Sequence, residues 1–160
     1  MDPIAHFSVA LAAAKLADPE APLWVLGVAT QVPDILFFGF EAAGLERRAE
    51  TQTNFRTGLR YLSPASIGWS HGLLMSVVWS IVAGAIAFPF YRDFRTSIVV
   101  GLMVFSHWLL DFIVYPNLPL LFDGSRLVGL GLITSGPGLI AGIVLEIVLI
   151  AGGIAIYLGT

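Results

Sequence analysis

Three long apolar segments, at residues 67–90, 96–115 and 137–158, limit the possible folds of this chain more than any other feature. Each is about as long as the roughly 20 residues that an α-helix needs to cross a bilayer. Charged residues make up 12% of the 160 residues, about half of their usual share in soluble domains. The runs are continuous rather than alternating, which argues against the strands of a membrane barrel. Because lipid offers no hydrogen bonds to the backbone, these segments must be helices.

We therefore predict an all-α integral membrane bundle of four to five helices, formed as a single domain over residues 1–160. Its spans are expected at residues 4–17, 23–40, 67–90, 96–115 and 137–158. The first of these is short, and it could be either a full span or a half-buried helix. The polar loop at 41–66 is expected to be largely irregular or amphipathic. Pro33 lacks a backbone N–H, which favours a kink just before Asp34.

Several function classes are excluded by what the chain lacks. With no cysteine, it has no disulfides, thiolate metal sites or cysteine nucleophiles. The net charge of −3 is small and gives no indication of nucleic-acid binding. No P-loop, dinucleotide fingerprint or Gly-x-Ser-x-Gly elbow occurs. The N-terminus lacks the basic region of a cleavable signal peptide, so the first helix is expected to remain. Small residues in the last span predict close helix packing, namely Gly138, Gly142, Gly152 and Gly153.

All three histidines of the chain and three carboxylates fall in or at the edge of the predicted spans: His6, Asp34, His71, His107, Asp111 and Glu146. An aspartate at the centre of a membrane helix costs about 2.5 to 3.5 kcal/mol on insertion scales. All eight Lys and Arg residues lie in loops, turns or helix ends, so no local cation can pair with these carboxylates. The buried groups therefore need one another's protons, water or a metal ion.

Spacing and depth favour a shared site. His107 and Asp111 are four residues apart and lie on one helix face, where they can place two ligands on one ion. If all five segments cross, His6, Asp34 and His71 come to the same half of the membrane as this pair. If the first helix does not cross, His6 moves away and the convergence weakens. A membrane histidine can also simply bond a neighbouring helix, and an aspartate at a kink can cap a helix break.

These residues resemble a family of small bacterial and archaeal inner-membrane proteins described as metal-dependent hydrolases, the group once described as LexA-binding. The resemblance covers nearly the whole chain in order, through "AHFSVALA", "QVPDILF", "GWSHGLL" and "SHWLLDFI". The tail "LPLLFDGSRLVGLGL" is similar to a divergent branch of uncharacterised members. The resemblance implies five metal ligands: His6, Asp34, His71, His107 and Asp111. One departure is that Ser66 and Ile67 stand where the group often has a His-Arg pair before the third-helix histidine.

Histidine and aspartate without sulfur suit Zn²⁺ first, with Mn²⁺ or Fe²⁺ as alternatives. We expect Asp111 to be ionised, because an adjacent divalent ion favours the anion. Asp111 and Glu146 are the candidate catalytic carboxylates, which would orient a water or accept its proton. A site near one membrane face would suit a lipid-like ester or phosphoester. The chain is therefore interpreted as a metal-dependent hydrolase of the prokaryotic inner membrane, in contact with lipid.

The sequence is also compatible with two other classes of function. Carboxylates and histidines inside a membrane also make proton relays and ion paths, which would indicate a transporter-like protein. The same groups could serve only helix packing in a scaffold, with a second copy or another membrane protein as partner. Loops on the side of the N-terminus hold five Lys or Arg residues against three on the other side. That excess slightly favours a cytoplasmic N-terminal side.

Overall fold

The computed structural model describes residues 3–17, 21–47, 50–53, 60–63, 66–122 and 124–159. Within these ranges the chain forms seven α-helices: α1 Pro3–Ala13, α2 Leu23–Thr30, α3 Val32–Ala42, α4 Gly68–His71, α5 Leu73–Tyr91, α6 Phe94–Val114 and α7 Gly136–Leu158. Two short antiparallel hairpins lie between helices: β1 Glu50–Thr53 with β2 Arg60–Ser63, and β3 Leu118–Pro119 with β4 Leu127–Val128.

Among the described residues, α5, α6 and α7 are long and apolar enough to cross a membrane, with 19, 21 and 23 residues. The pair α2 and α3 passes the same test when taken together, as one broken span or a re-entrant loop. The all-α membrane fold predicted from the sequence is thereby confirmed. The apolar first helix, Ile4–Leu16, is shorter. At 1.5 Å per residue it reaches about 20 Å, against a hydrocarbon core of about 30 Å.

A bend of 51° separates α2 from α3, at the position where the sequence predicts a kink. Gln31 lies between the two helices with φ −102° and ψ 0°. Pro33, the second residue of α3, has no N–H to continue the hydrogen-bond ladder of α2. Asp34 therefore stands in the first turn of α3, directly after the bend.

A second break separates α4 from α5 at Gly72, which has φ −66° and ψ 142°. A Cβ atom at this position would overlap the carbonyl oxygens of Leu121 and Gly68. Only glycine allows this close approach, so the break is fixed by packing against the loop before β4. His71 is the last residue of α4 and lies directly before the break.

Helix α6 is capped at its N-terminus by Asp93, whose carboxylate accepts hydrogen bonds from Thr96 Oγ1 at 2.6 Å and Thr96 N at 2.8 Å. These hydrogen bonds from Thr96, with another from the backbone N–H of Arg95, lower the pKa of Asp93 below its usual value. The helix ends before Tyr115, and Pro116 follows. The capping aspartate at one end and the proline after the other end thus define both limits of α6.

The main core lies between α1, α2, α5 and α6, and all but one of its buried members are small or branched: Ala10, Ala13, Ala17, Leu26, Ala29, Ala87, Val99, Val100, Met103 and Val104. Helices α5 and α6 approach closely at two glycines. A Cβ at Gly101 would lie 2.7 Å from Ser80 O, and one at Gly84 would lie 2.8 Å from Ser97 O.

Of the four glycines singled out in the last span, Gly153 packs against another helix, at the backbone of Ser8 in α1. Gly138 lies against the backbone of Leu132, just before α7. For Gly142 and Gly152, a Cβ would meet no atom of the described structure within 4 Å. Helix contact through glycine in α7 is therefore limited to Gly153.

Part of the polar loop at 41–66 has regular structure. Its described part contains β1 and β2, which pair from Glu50 with Ser63 to Thr53 with Arg60. Strands of four residues are far shorter than the 9 to 11 that a membrane strand needs. The hairpin is therefore an addition to the helical fold and leaves the membrane architecture unchanged.

Candidate metal centre

Four helices bring the histidines and two of the aspartates together. Helix α1 supplies His6, α3 supplies Asp34, and α4 supplies His71. Helix α6 supplies both His107 and Asp111, one turn apart on the same face. His6 and His107 are each 1% exposed, and Asp111 is 5% exposed, so the cluster is closed on the α6 side.

The two carboxylates face the Nε2 atoms of the three imidazoles. Asp111 lies 3.5 Å from His6, 3.4 Å from His107 and 3.8 Å from His71. Asp34 lies 3.3 Å from His71 and 3.7 Å from His107. The five side chains that the sequence singled out as metal ligands are thus neighbours, while their role as ligands stays a prediction.

His107 is held in one orientation by the backbone of the bend. Its Nδ1 atom lies 2.7 Å from the carbonyl oxygen of Thr30, the last residue of α2. A carbonyl only accepts hydrogen bonds, so Nδ1 carries the proton. In the neutral ring, Nε2 then presents a lone pair to Asp111 and Asp34. A lone pair facing carboxylate oxygens requires a proton or a cation between them.

His71 is held in the same way, but through side chains. Its Nδ1 atom lies 2.7 Å from Ser70 Oγ, and the Ser70 hydroxyl donates to Glu46 Oε2 at 2.7 Å. Glu46 Oε1 also accepts hydrogen bonds from the N–H groups of Trp69 and Ser70, both at 2.8 Å. Because the only hydroxyl proton of Ser70 goes to Glu46, the hydrogen bond from His71 Nδ1 must be donated to Ser70.

His6 is the least constrained of the three imidazoles. Its Nδ1 atom is buried and has no hydrogen-bond partner within the described part of the chain. The ring stacks on His107 with centroids 3.9 Å apart and an interplanar angle of 9°. Leaving a buried nitrogen without a hydrogen bond costs free energy, which a ligand bond at Nε2 would offset.

The donor separations fit a bound ion. Ligand bonds of 2.0 to 2.2 Å with tetrahedral angles put neighbouring ligand atoms about 3.4 Å apart. The observed nitrogen-to-oxygen distances are 3.3 to 3.8 Å. Two groups of three among the described residues could hold an ion, with all donor atoms within 4.8 Å: His6, His107 and Asp111, and Asp34, His71 and His107. His107 belongs to both groups.

The cluster lies near one end of the spans. Asp111 and His107 are three and seven residues from Val114, where α6 ends. At 1.5 Å per residue these positions are about 5 and 10 Å from the helix end. The side chain of Asp34 is 38% exposed, against 7% for Asp111, so the cluster opens on the side of α3.

Glu146, the other predicted catalytic carboxylate, belongs to neither donor group among the described residues. It lines a separate cavity of about 300 Å³ with Val114, Tyr115 and Leu139. Its catalytic role stays a prediction. Conversely, Glu46 touches the cluster through Ser70 and is 1% exposed, although the sequence placed it in a polar loop. Its partners are 23 and 24 residues away, and no local pattern indicates the contact.

The fold and the cluster define a class: small all-helical membrane proteins in which buried histidines and aspartates meet near one end of the spans and could hold a metal ion. Within that class, the chain belongs to the YdjM inner membrane protein family, which matches residues 1–158. The family resemblance of the sequence is thereby confirmed, and the chain is an integral protein of the inner membrane. Comparisons with curated proteins and with solved structures gave no significant match.

Proposed function

We propose that this chain is a membrane-embedded metal-dependent hydrolase that acts on a lipid-like ester or phosphoester. The observation that carries the proposal is the convergence of three imidazole Nε2 atoms on two carboxylates at 3.3 to 3.8 Å. The donor set would be His6, Asp34, His71, His107 and Asp111. Zn²⁺ is the preferred ion, with Mn²⁺ or Fe²⁺ as alternatives, because the donors are imidazole and carboxylate without sulfur.

A divalent ion bound by these residues supplies Lewis acidity and makes hydroxide available near neutral pH. The chain's own groups then have distinct tasks. Asp111 is buried against all three imidazoles and holds them in place. Asp34 is the more exposed carboxylate, so it is the group that can accept a proton from an incoming water. Burial of His6 and His107 keeps bulk water away from the inner side.

The depth of the cluster supports the substrate class. Because α6 is about as long as the hydrocarbon core is thick, a site about 5 to 10 Å from its end lies in the outer part of that core, just below the lipid headgroups. An ester or phosphoester bond of a lipid-like molecule reaches that level while its chains stay in the hydrocarbon. The opening beside Asp34 is on the side of α3, where Ile35 and Phe38 are exposed. A substrate would therefore approach along α3.

The chain lacks the His-Arg pair that the related group often has before the third-helix histidine. This difference concerns catalysis more than metal binding. Ser66 pairs through its backbone with Arg47, and Ile67 is buried beside Trp108 and Leu118. Neither position offers an ionisable side chain for substrate. Metal binding and hydrolysis are therefore tested separately.

Metal binding is tested by elemental analysis of the purified protein. We expect one or two ions per chain in the wild type and a sharp loss in His107→Ala and Asp111→Asn. Asp93→Asn is the matched control, since it neutralises a carboxylate outside the cluster and asparagine caps a helix equally well. If no preparation contains metal, or both variants hold metal like the wild type, the cluster is a packing or proton-carrying network.

Hydrolysis is tested on p-nitrophenyl esters and phosphoesters in mixed micelles, with the metal-loaded wild type and Asp34→Asn. We expect turnover by the wild type and a loss of about 100-fold or more in the variant, as general base groups contribute 10² to 10⁴. Stoichiometric metal without turnover of either substrate class would leave a metal-binding membrane protein and overturn the hydrolase proposal.

A further inference from the structure

Among the residues that the structure describes, Glu46 is the one buried carboxylate near the cluster that neither the donor groups nor the proposed chemistry uses. It is 1% exposed and lies in the segment after α3, outside the predicted spans. Its two oxygens accept three hydrogen bonds, from Trp69 N, Ser70 N and Ser70 Oγ. The first two fix α4 beside the end of α3, and the third determines the direction of the Ser70 hydroxyl.

We propose that Glu46 is a positioning residue that, through Ser70, fixes which nitrogen of His71 is available to bind a metal ion. This inference rests on the proposed function, because it assigns Glu46 a role at the same site. The Ser70 hydroxyl has one proton, and Glu46 takes it. The Ser70 oxygen can then only accept from His71 Nδ1, so the neutral ring has its lone pair at Nε2.

The orientation matters because Nε2, not Nδ1, faces the two carboxylates. His71 Nε2 lies 3.3 Å from Asp34 and 3.8 Å from Asp111. If the proton moved to Nε2, the ring would offer no lone pair at that place and could not be a ligand. Groups that hold the far nitrogen of a metal-binding histidine typically change metal affinity by 10- to 100-fold when they are replaced.

Glu46→Gln makes a sharp test, because it preserves shape and reverses one hydrogen bond. The amide oxygen can still accept from Trp69 N and Ser70 N. The amide N–H₂ group would now donate to Ser70 Oγ, so the hydroxyl would turn and donate to His71 Nδ1. The neutral ring of His71 would then carry its proton on Nε2. Burial of Ser70 at 0% exposure leaves no room for water to restore the original arrangement.

The measurement is ¹⁵N NMR of histidine-labelled, metal-free protein in detergent, which reports whether the Nδ1 atom of each histidine carries a proton. The chain has three histidines, so His71→Ala assigns the signal. We expect a proton on His71 Nδ1 in the wild type, where it is donated to Ser70, and none on Nδ1 in Glu46→Gln, where Nδ1 accepts from Ser70. His107, held by the backbone carbonyl of Thr30, is the internal control and keeps its Nδ1–H form in both proteins.

Ser70→Ala is the second variant. It removes the hydroxyl and leaves both backbone hydrogen bonds to Glu46, so the fold of α4 is retained. We expect both neutral forms of His71 in this variant and a 10- to 100-fold loss of Zn²⁺ affinity in each variant, measured by competition with a chelating dye. If His71 stays in the Nδ1–H form in Glu46→Gln, the inference is overturned. If the forms switch but the wild type never binds Zn²⁺, the proposed function fails while the control of His71 by Glu46 stands.

Discussion

The two aspartates of the cluster look equivalent in the sequence but differ in the structure. Asp111 lies within 4 Å of all three histidines, and its side chain is 7% exposed. Asp34 lies within 4 Å of His71 and His107 only, and its side chain is 38% exposed. Burial strengthens an electrostatic contact because less water screens it. Asp111 is therefore the central carboxylate of the cluster, and Asp34 is the carboxylate at its opening.

This difference predicts an order of metal affinities. Asp111→Asn should weaken Zn²⁺ binding more than Asp34→Asn, by at least about tenfold, which corresponds to about 1.4 kcal/mol. The measurement is a Zn²⁺ titration of each variant in the presence of a competing chelator. Both variants keep the size of the side chain, so packing is matched. Equal affinities, or a weaker Asp34→Asn, would contradict the assignment of Asp111 as the central carboxylate.

At the residue scale, sequence reasoning could find groups whose presence in a membrane is costly. That cost predicts a special partner for His107 and Asp111, because no cation of the same helix could pair with them. It could not find Glu46, since a glutamate in a polar loop has no cost to explain. Its burial arises from a contact with Ser70, 24 residues away, which only the packing of α3 beside α4 creates.

At the scale of helices, two breaks position the cluster, and the sequence predicts one of them. Pro33 predicts the bend before Asp34, because proline interrupts the backbone hydrogen bonds of a helix. Gly72 gives no such signal, because glycine is frequent in membrane helices. Its break depends on the carbonyl oxygen of Leu121, which approaches from a distant loop. Contact with a distant part of the chain is also what separates Gly153, which lies at a helix contact, from Gly142, which does not.

The close approach of α5 and α6 predicts the effect of adding one methyl group. Gly101→Ala would place Cβ 2.7 Å from the backbone carbonyl oxygen of Ser80, which cannot rotate away. We expect a destabilisation of about 1 to 3 kcal/mol, the usual range for overpacking. The measurement is the thermal unfolding of the detergent-solubilised protein.

Gly142→Ala is the matched control, because it makes the same change in a membrane helix where no described atom lies within 4 Å of the new Cβ. Its melting temperature should equal or exceed that of the wild type, since alanine has the higher helix propensity. Similar losses in both variants would mean that the α5–α6 contact is not as close as the structure shows.

At the scale of the whole molecule, the sequence leaves open how many segments cross the membrane. The apolar helix Ile4–Leu16 is too short to cross as a regular helix, so the count depends on the bent pair α2 and α3. If the pair crosses, Lys15 and Ala43, which are both exposed, lie on opposite faces of the membrane.

The absence of cysteine allows a direct measurement of this topology. Lys15→Cys and Ala43→Cys, made in separate proteins, should react with a membrane-impermeant maleimide from opposite sides of oriented vesicles. The excess of Lys and Arg in the loop that follows α3 favours the cytoplasmic side for Ala43. Labelling of both cysteines from one side would make α2 and α3 a re-entrant loop and reduce the number of spans to three.

The cluster also connects distant parts of the molecule, because its five side chains come from α1, α3, α4 and α6. An ion bound there would stabilise the native state alone, since unfolding separates the ligands. For a metal at 100 times its dissociation constant this amounts to about 2.7 kcal/mol. We therefore expect a chelator to lower the melting temperature of the wild type by several degrees, and added Zn²⁺ to restore it.

In Asp111→Asn the same chelator should have little effect, because the ion is already weakly held. Asp93→Asn, which changes a carboxylate at the start of α6 and outside the cluster, should respond like the wild type. A chelator effect of equal size in Asp111→Asn would place the stabilising metal elsewhere. No effect in any of the three proteins would mean that no bound metal holds the four helices together. In that case His107 and Asp111 would be a packing pair, and the function would have to be sought in assembly or transport.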